Sequence, residues 1–306
     1  MNDNKTKTTT DPPTKFTHLL ATDLFSVRGK VALITGGSRG VGFMMAQGLV
    51  ANGAHVIITS RNAKQCAAAC DMLNHMARSL PDGIGGSCVF IVQDVGTEQG
   101  CRAVIEKVQE MASEKTVGSQ EQRNARSLQQ GIHILVNNAG TNWAESIETY
   151  PDSAWDKVLA LNVKSVFHMT RFALPLLKHA AQVSGESSSV INTGSINGIN
   201  APSNMETYAY STSKAAVHHL TRHLASQLAS QHIRVNCIAL GIVHTKMTHE
   251  TLENFGDVIV ESVPLRRTGR VEDLSAIVLY LGSKASSWMT GALIPLDGGA
   301  LVNSHI

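Results

Sequence analysis

Charge is scarce in this sequence, and neither sign dominates. Charged side chains make up 16% of 306 residues, and 26 basic groups nearly balance 24 acidic ones. No polybasic stripe or acidic tail points to nucleic acid or a membrane surface as the main partner. No apolar run reaches membrane-spanning length. The cysteines number only five, at Cys66, Cys70, Cys88, Cys101 and Cys237. An odd count without a Cys-x-x-Cys pair argues against a disulfide framework and for reduced intracellular thiols. Cys66 and Cys70 share a helix face, where a small buried thiol outweighs a redox or metal role. The N-terminus lacks the apolar stretch of a secretory signal. Asp3 and Asp11, with no arginine before Arg28, also count against a mitochondrial presequence.

Hydrophobic residues, by contrast, make up 43% of the chain, enough for a sizeable core. Residues 1–23 read as a polar, Thr-rich, disordered extension carrying Pro12 and Pro13. From Lys30 onward, short apolar runs alternate with helical patterns. Strands are expected at Val31–Thr35, His55–Thr59, Cys88–Gln93, His133–Asn137, Val190–Thr193, Arg234–Ala239 and Leu293–Pro295. Helices are expected at Val41–Asn52, Ala63–Leu80, Glu98–Ser113, Ala154–His179, Tyr208–Ser230 and Glu272–Leu281. This alternation implies an α/β, Rossmann-type, doubly wound parallel sheet of about seven strands, helices on both faces, in one domain over 24–306. A polar stretch at 114–130 reads as an insertion, and 241–266 as a substrate lid. The closing Ser304-His305-Ile306 is a loose relative of the peroxisomal Ser-Lys-Leu address. An accidental tripeptide in a cytoplasmic protein is the favoured alternative.

The first strand runs into Gly36-Gly37-Ser38-Arg39-Gly40-Val41-Gly42. Glycines let a backbone turn tightly and approach a pyrophosphate, and the following helix start offers free N–H groups to that anion. The strand-turn-helix context makes the motif credible. The second strand ends at Ser60 and Arg61, with no acid nearby to hold a ribose 2′-hydroxyl. Arg61 and Arg39 together suit a 2′-phosphate, so the expected cofactor is NADP(H).

Further on stand Asn137-Asn138-Ala139-Gly140, then Ser195, then Tyr210-Ser211-Thr212-Ser213-Lys214. With the glycine turn, this ordered set resembles the short-chain dehydrogenase/reductase family in its short, single-domain form, over residues 24–303. Tyr210 and Lys214 lie one helical turn apart on one face. An ammonium near a phenol favours the phenolate, which suits proton transfer. The resemblance implies that Tyr210 is the acid/base, Lys214 also holds the nicotinamide ribose, and Ser195 holds the substrate oxygen. It implies that Asn162 keeps a water linking Lys214 to solvent. It further implies cofactor contacts from Asp94, Val95, Asn137, Ala139, Gly140, Gly241, Ile242, Thr245 and Met247. Leu240 stands where the family usually has proline, so a more mobile lid is expected. His133 replaces a common aspartate without a functional account.

Tyr208 lacks a lysine in register and reads as a packing or substrate-facing residue. His219 and His223 are four apart, with no third ligand near in sequence. Trp143, Ile196 and Met205, with Pro202 and Met247, give the pocket an apolar lining. That suits an acyl, polyketide-like or hydrophobic ketone substrate. The chain is similar to 3-oxoacyl reductases of the rhamnolipid-pathway or acyl-carrier type and to gluconate 5-dehydrogenase-like enzymes. The expected activity is NADPH-dependent interconversion of a ketone and a secondary alcohol. A cofactor-retaining non-redox enzyme and a non-catalytic NADP sensor are the alternatives. The family also implies a homodimer or homotetramer.

Overall fold

The computed structural model describes residues 16–113, 128–201 and 206–302. Seven strands form one parallel sheet: β1 Val31–Thr35, β2 His55–Ser60, β3 Ser87–Val92, β4 Ile134–Asn137, β5 Ser188–Thr193, β6 Ile233–Leu240 and β7 Leu293–Leu296. Their order is β3-β2-β1-β4-β5-β6-β7. Winding reverses between β1 and β4, which opens a crevice beyond their carboxyl ends.

Helices α1 Gly40–Ala51, α2 Ala63–Ser79 and α3 Glu98–Ser113 precede β4. After it come α4 Asp152–Leu159, α5 Ser165–Ser184, α6 Tyr208–Leu228, α7 His249–Ser262 and α8 Val271–Gly282. Alternate strand residues serve opposite faces. Ala32, Ile34, Val56 and Ile58 pack with Leu49 of α1, Leu73 of α2 and Val278 of α8. Val31, Leu33, Ile57 and Leu135 pack with Val104 of α3, Leu177 of α5 and Leu224 of α6. Both faces are covered, so the strands carry unbroken apolar runs.

Three elements differ from expectation. The long helix foreseen at Ala154–His179 is α4, a π-turn at Ala160–Lys164, and α5 running on to Ser184. A local i→i+5 bond leaves the apolar spacing almost unchanged, so periodicity does not reveal it. Of the extension assigned to 1–23, residues 1–15 lie outside the described residues, and helical turns occupy Phe16–Leu19 and Ala21–Leu24. The segment expected as a lid contains α7, an amphipathic helix with no buried side chain among its described ones. Residues 114–127 of the insertion and the terminal 303–306 lie outside the described residues. No described helix is long and apolar enough to cross a membrane.

Candidate active site

The glycine turn is built by stitching β1 to β4. Thr35 Oγ1 accepts from the backbone N–H groups of Asn138 and Ala139, each at 3.0 Å. Asn138 Nδ2 donates to Thr35 O at 3.0 Å and Gly36 O at 3.2 Å. Gly36 adopts φ +66°, a left-handed turn that favours glycine. A Cβ on Gly42 would lie 2.4 Å from Asn138 Nδ2 and 2.6 Å from Gly36 O. The backbone therefore closes on itself where a bulky side chain has no room. Arg39 is the N-cap of α1, and no side chain caps that helix start. Uncapped first-turn amides, a shallow glycine floor and an exposed arginine suit an anionic dinucleotide.

Arg61 stands exposed just beyond β2, and its Nη1 lies 3.9 Å from Asp94 Oδ2. Such an exposed pair is weak, which leaves Arg61 free to meet another anion. Ser60 is half-buried and Ser38 is buried. Asp94 accepts from Gly96 N at 2.9 Å. Val95 points into the core below, and the Asn137 side chain is likewise buried, donating to Thr170 Oγ1 and Asn192 Oδ1. Across the cleft, Thr245 Cγ2 comes within 3.4 Å of a Cβ built on Gly40. Ile242 is half-buried, and Met247 is 53% exposed.

The segment holding Gly241, Ile242 and Thr245 is tethered. Leu240 extends β6 by pairing with Leu296, and Gly241 N donates to Leu296 O at 3.0 Å. Gly269 N donates to Ile242 O at 2.9 Å, and Thr248 Oγ1 donates to Val243 O at 2.6 Å.

Tyr210 and Lys214 open α6. Lys214 is buried, with Nζ 2.7 Å from Thr193 O and 5.5 Å from the centre of the Tyr210 ring. Thr193 ends β5, so the same lysine anchors the chain entering Ser195. Ser195 caps the turn Ile196–Gly198, its Oγ accepting from Asn197 N at 3.2 Å. A Cβ on Gly198 would lie 2.6 Å from Ala215 N, so this turn rests directly on α6. Asn162, inside the π-turn, uses its amide fully: Oδ1 accepts from Thr141 N at 2.9 Å. Its Nδ2 donates to Thr141 O at 3.0 Å and Ser213 Oγ at 2.9 Å. A Cβ on Gly140 would lie 3.3 Å from Asn162 Oδ1 and 3.8 Å from Lys214 Nζ. Gly140, Asn162, Ser195, Tyr210 and Lys214 thus gather at the carboxyl ends of β4 and β5.

Residues 30–255 match the family model described as short chain dehydrogenase. The chain belongs to the short-chain dehydrogenase/reductase family. It is an oxidoreductase of that family. A rhamnolipids biosynthesis 3-oxoacyl-acyl-carrier-protein reductase of Pseudomonas aeruginosa is 39% identical over 277 residues, covering 90% of this chain and 97% of the relative. A tropinone reductase homologue of Arabidopsis thaliana is 33% identical over 281 residues, covering 91% and 95%. A solved Pseudomonas aeruginosa RhlG/NADP active-site complex superposes with TM-score 0.79 at 39% identity, covering 90% of this chain and 98% of that one. A gluconate 5-dehydrogenase of Burkholderia cenocepacia, solved with NADP and tartrate, gives 0.76 at 25% identity, covering 93% and 100%.

On the substrate side of this short-chain dehydrogenase/reductase, Trp143 and Ile196 are half-buried. Pro202 and Met205 lie outside the described residues. Tyr208 packs edge-on against Tyr150 at 5.4 Å, and both line a concavity of about 500 Å³ with Trp155 and Thr207. His219 and His223 are exposed, and no metal-binding group of three or more His, Cys, Asp or Glu occurs among the described residues. Thr35, Asn138 and Thr193 shape the site through bonds that the sequence reading did not assign to them. The strand-end threonines and the second asparagine of the Asn-Asn-Ala-Gly run were the available signals. His133 gains an account: its Nδ1 accepts from Val31 N at 3.1 Å, joining β4 to β1. Burial and neighbouring Lys30 hold its pKa down at about 4, so the ring is a neutral acceptor.

Proposed function

We propose that this protein is an NADPH-dependent reductase that converts a ketone to a secondary alcohol. The carrying observation is the buried Lys214 ammonium, 5.5 Å from the Tyr210 ring and bonded to the strand that delivers Ser195. When bound, the nicotinamide supplies the hydride. The protein's residues manage the oxygen. Tyr210 gives its phenolic proton to the carbonyl oxygen as that oxygen gains charge. Lys214 stabilises the negative charge left on the phenol oxygen, and its buried position strengthens that effect. Ser195 Oγ–H donates to the same substrate oxygen and stabilises it. Asn162, whose amide is committed to Thr141 and Ser213, serves as a positioning residue that keeps Gly140 and Thr141 beside Lys214. Any water between Lys214 and solvent then rests on main-chain oxygen.

Arg39 and Arg61 support the choice of NADP(H). Both are exposed at the rim of the glycine cradle, and no carboxylate there bonds them tightly. Solved relatives bound to NADP support the same reading. The half-buried Trp143 and Ile196 and the exposed Met247 favour a 3-oxoacyl or other hydrophobic ketone. The five free cysteines favour a reducing, cytoplasmic setting. A homodimer or homotetramer would cover Phe167, which is 41% exposed on α5.

The test is Tyr210→Phe, which removes the transferable proton and keeps the ring. Turnover of NADPH with a 3-oxoacyl thioester is expected to fall by about 10²–10⁴-fold, with NADPH affinity nearly unchanged. Activity within a few-fold of wild type would remove Tyr210 from the acid/base role.

A further inference from the structure

His218 lies four residues beyond Lys214, on the same face of α6, and is 5% exposed. The two glycines that bracket the Ser195 turn both close on its ring. A Cβ on Gly194 would stand 2.5 Å from His218 Nε2 and 2.9 Å from Cδ2. A Cβ on Gly198 would stand 2.7 Å from Cε1. The imidazole edge is therefore wedged between the entry and the exit of the segment that carries Ser195. Nε2 is buried and has no hydrogen-bond partner among the described residues. A buried polar ring with one unmade bond is costlier than an apolar side chain of that size. Plain core filling does not call for it.

We propose that His218 is a positioning residue that fixes Ser195 by docking the 194–198 turn onto α6. Lys214 holds the near end of this segment through Thr193 O, and His218 holds the rest through Gly194 and Gly198. One stripe of α6 thus presents Tyr210, anchors the β5 end with Lys214, and sets Ser195 with His218. Hydrogen bonds to a developing charge depend steeply on donor placement, so a small shift of the turn costs rate without touching the cofactor cradle. The inference rests on the reading of Ser195 as the group that holds the substrate oxygen.

A double-mutant cycle tests it on the full-length enzyme with NADPH and a reducible ketone. His218→Leu is expected to lower kcat by about 10-fold, with NADPH Kd within about two-fold of wild type. In a Ser195→Ala background the same change is expected to cost less than about two-fold, because its effect runs through Ser195. His218→Asn is too short to reach Gly194 and Gly198 and is expected to lose kcat as His218→Leu does. His218→Gln, which keeps the reach of the ring's far edge, is expected to retain most of kcat. If His218→Leu does not fold, the Asn and Gln pair carries the same cycle. An undiminished cost in the Ser195→Ala background would overturn the positioning role alone. Ser195→Ala with unchanged kcat would overturn the assignment of Ser195, and the inference with it.

Discussion

Acidification should unfasten this fold before it protonates the carboxylates. His133 and His218 are both buried, and both are held at about 4 against an ordinary value of 6.5. Desolvation is the main cause in each, with Lys30 adding to it at His133 and Lys214 at His218. The folded state thus binds these protons less tightly than the unfolded chain does. Stability is full above 6.5 and is lost as the pH falls towards 4. Between about pH 8 and about pH 5 each imidazole costs about 2 kcal/mol, or about 4 kcal/mol for the pair. The ion-paired carboxylates act lower on the scale. Burial raises Glu186, yet Lys30 and Lys284 hold it below the usual carboxylate range, as Arg267 holds Asp273. Urea unfolding at the two pH values measures the loss. His133→Asn keeps an acceptor for Val31 N and removes one titrating ring, so it should reduce the pH-dependent loss by about half. Equal wild-type stability at both pH values would refute the reasoning, as would an unchanged loss in His133→Asn.

Arg61→Asp places a carboxylate at the end of β2 and should weaken NADPH by about 10–100-fold while favouring NADH, read by fluorescence titration of both nucleotides. Gly42→Ala pushes a methyl to 2.4 Å from Asn138 Nδ2, so NADPH binding and thermal stability should both fall, by about 1–3 kcal/mol in stability. Arg234 is buried and donates to Ser286 O at 2.9 Å and Leu281 O at 3.0 Å, closing the end of α8. Arg234→Met removes these charge-assisted bonds, although Ser286 O keeps Met289 N and Leu281 O keeps Ser189 Oγ as donors, and should cost about 1–2 kcal/mol by denaturant unfolding, with NADPH Kd unchanged.

Much of the architecture was legible because buried parallel strands write themselves as apolar runs. Val31–Thr35 and His55–Ser60 serve both faces, so alternation vanishes and a run remains. The glycine turn was legible because only that residue fits where Gly42 meets Asn138. Tyr210 and Lys214 stood out through the family's ordered motif set, and helical spacing placed them on one face. The π-turn around Asn162 was not, since one extra residue in a turn leaves no compositional mark. The α7 helix was hidden because none of its described side chains is buried, and an exposed helix needs no strict apolar stripe. His133 and His218 look alike in sequence to exposed histidines, and only packing reveals their neutral state.

The central claim is tested most directly by supplying NADPH or NADH with 3-oxoacyl thioesters and hydrophobic ketones, and measuring nicotinamide oxidation against alcohol formed. The account predicts one alcohol per NADPH oxidised, with NADH much the poorer donor. Tight NADPH binding without consumption, or faster turnover with NADH, would contradict it.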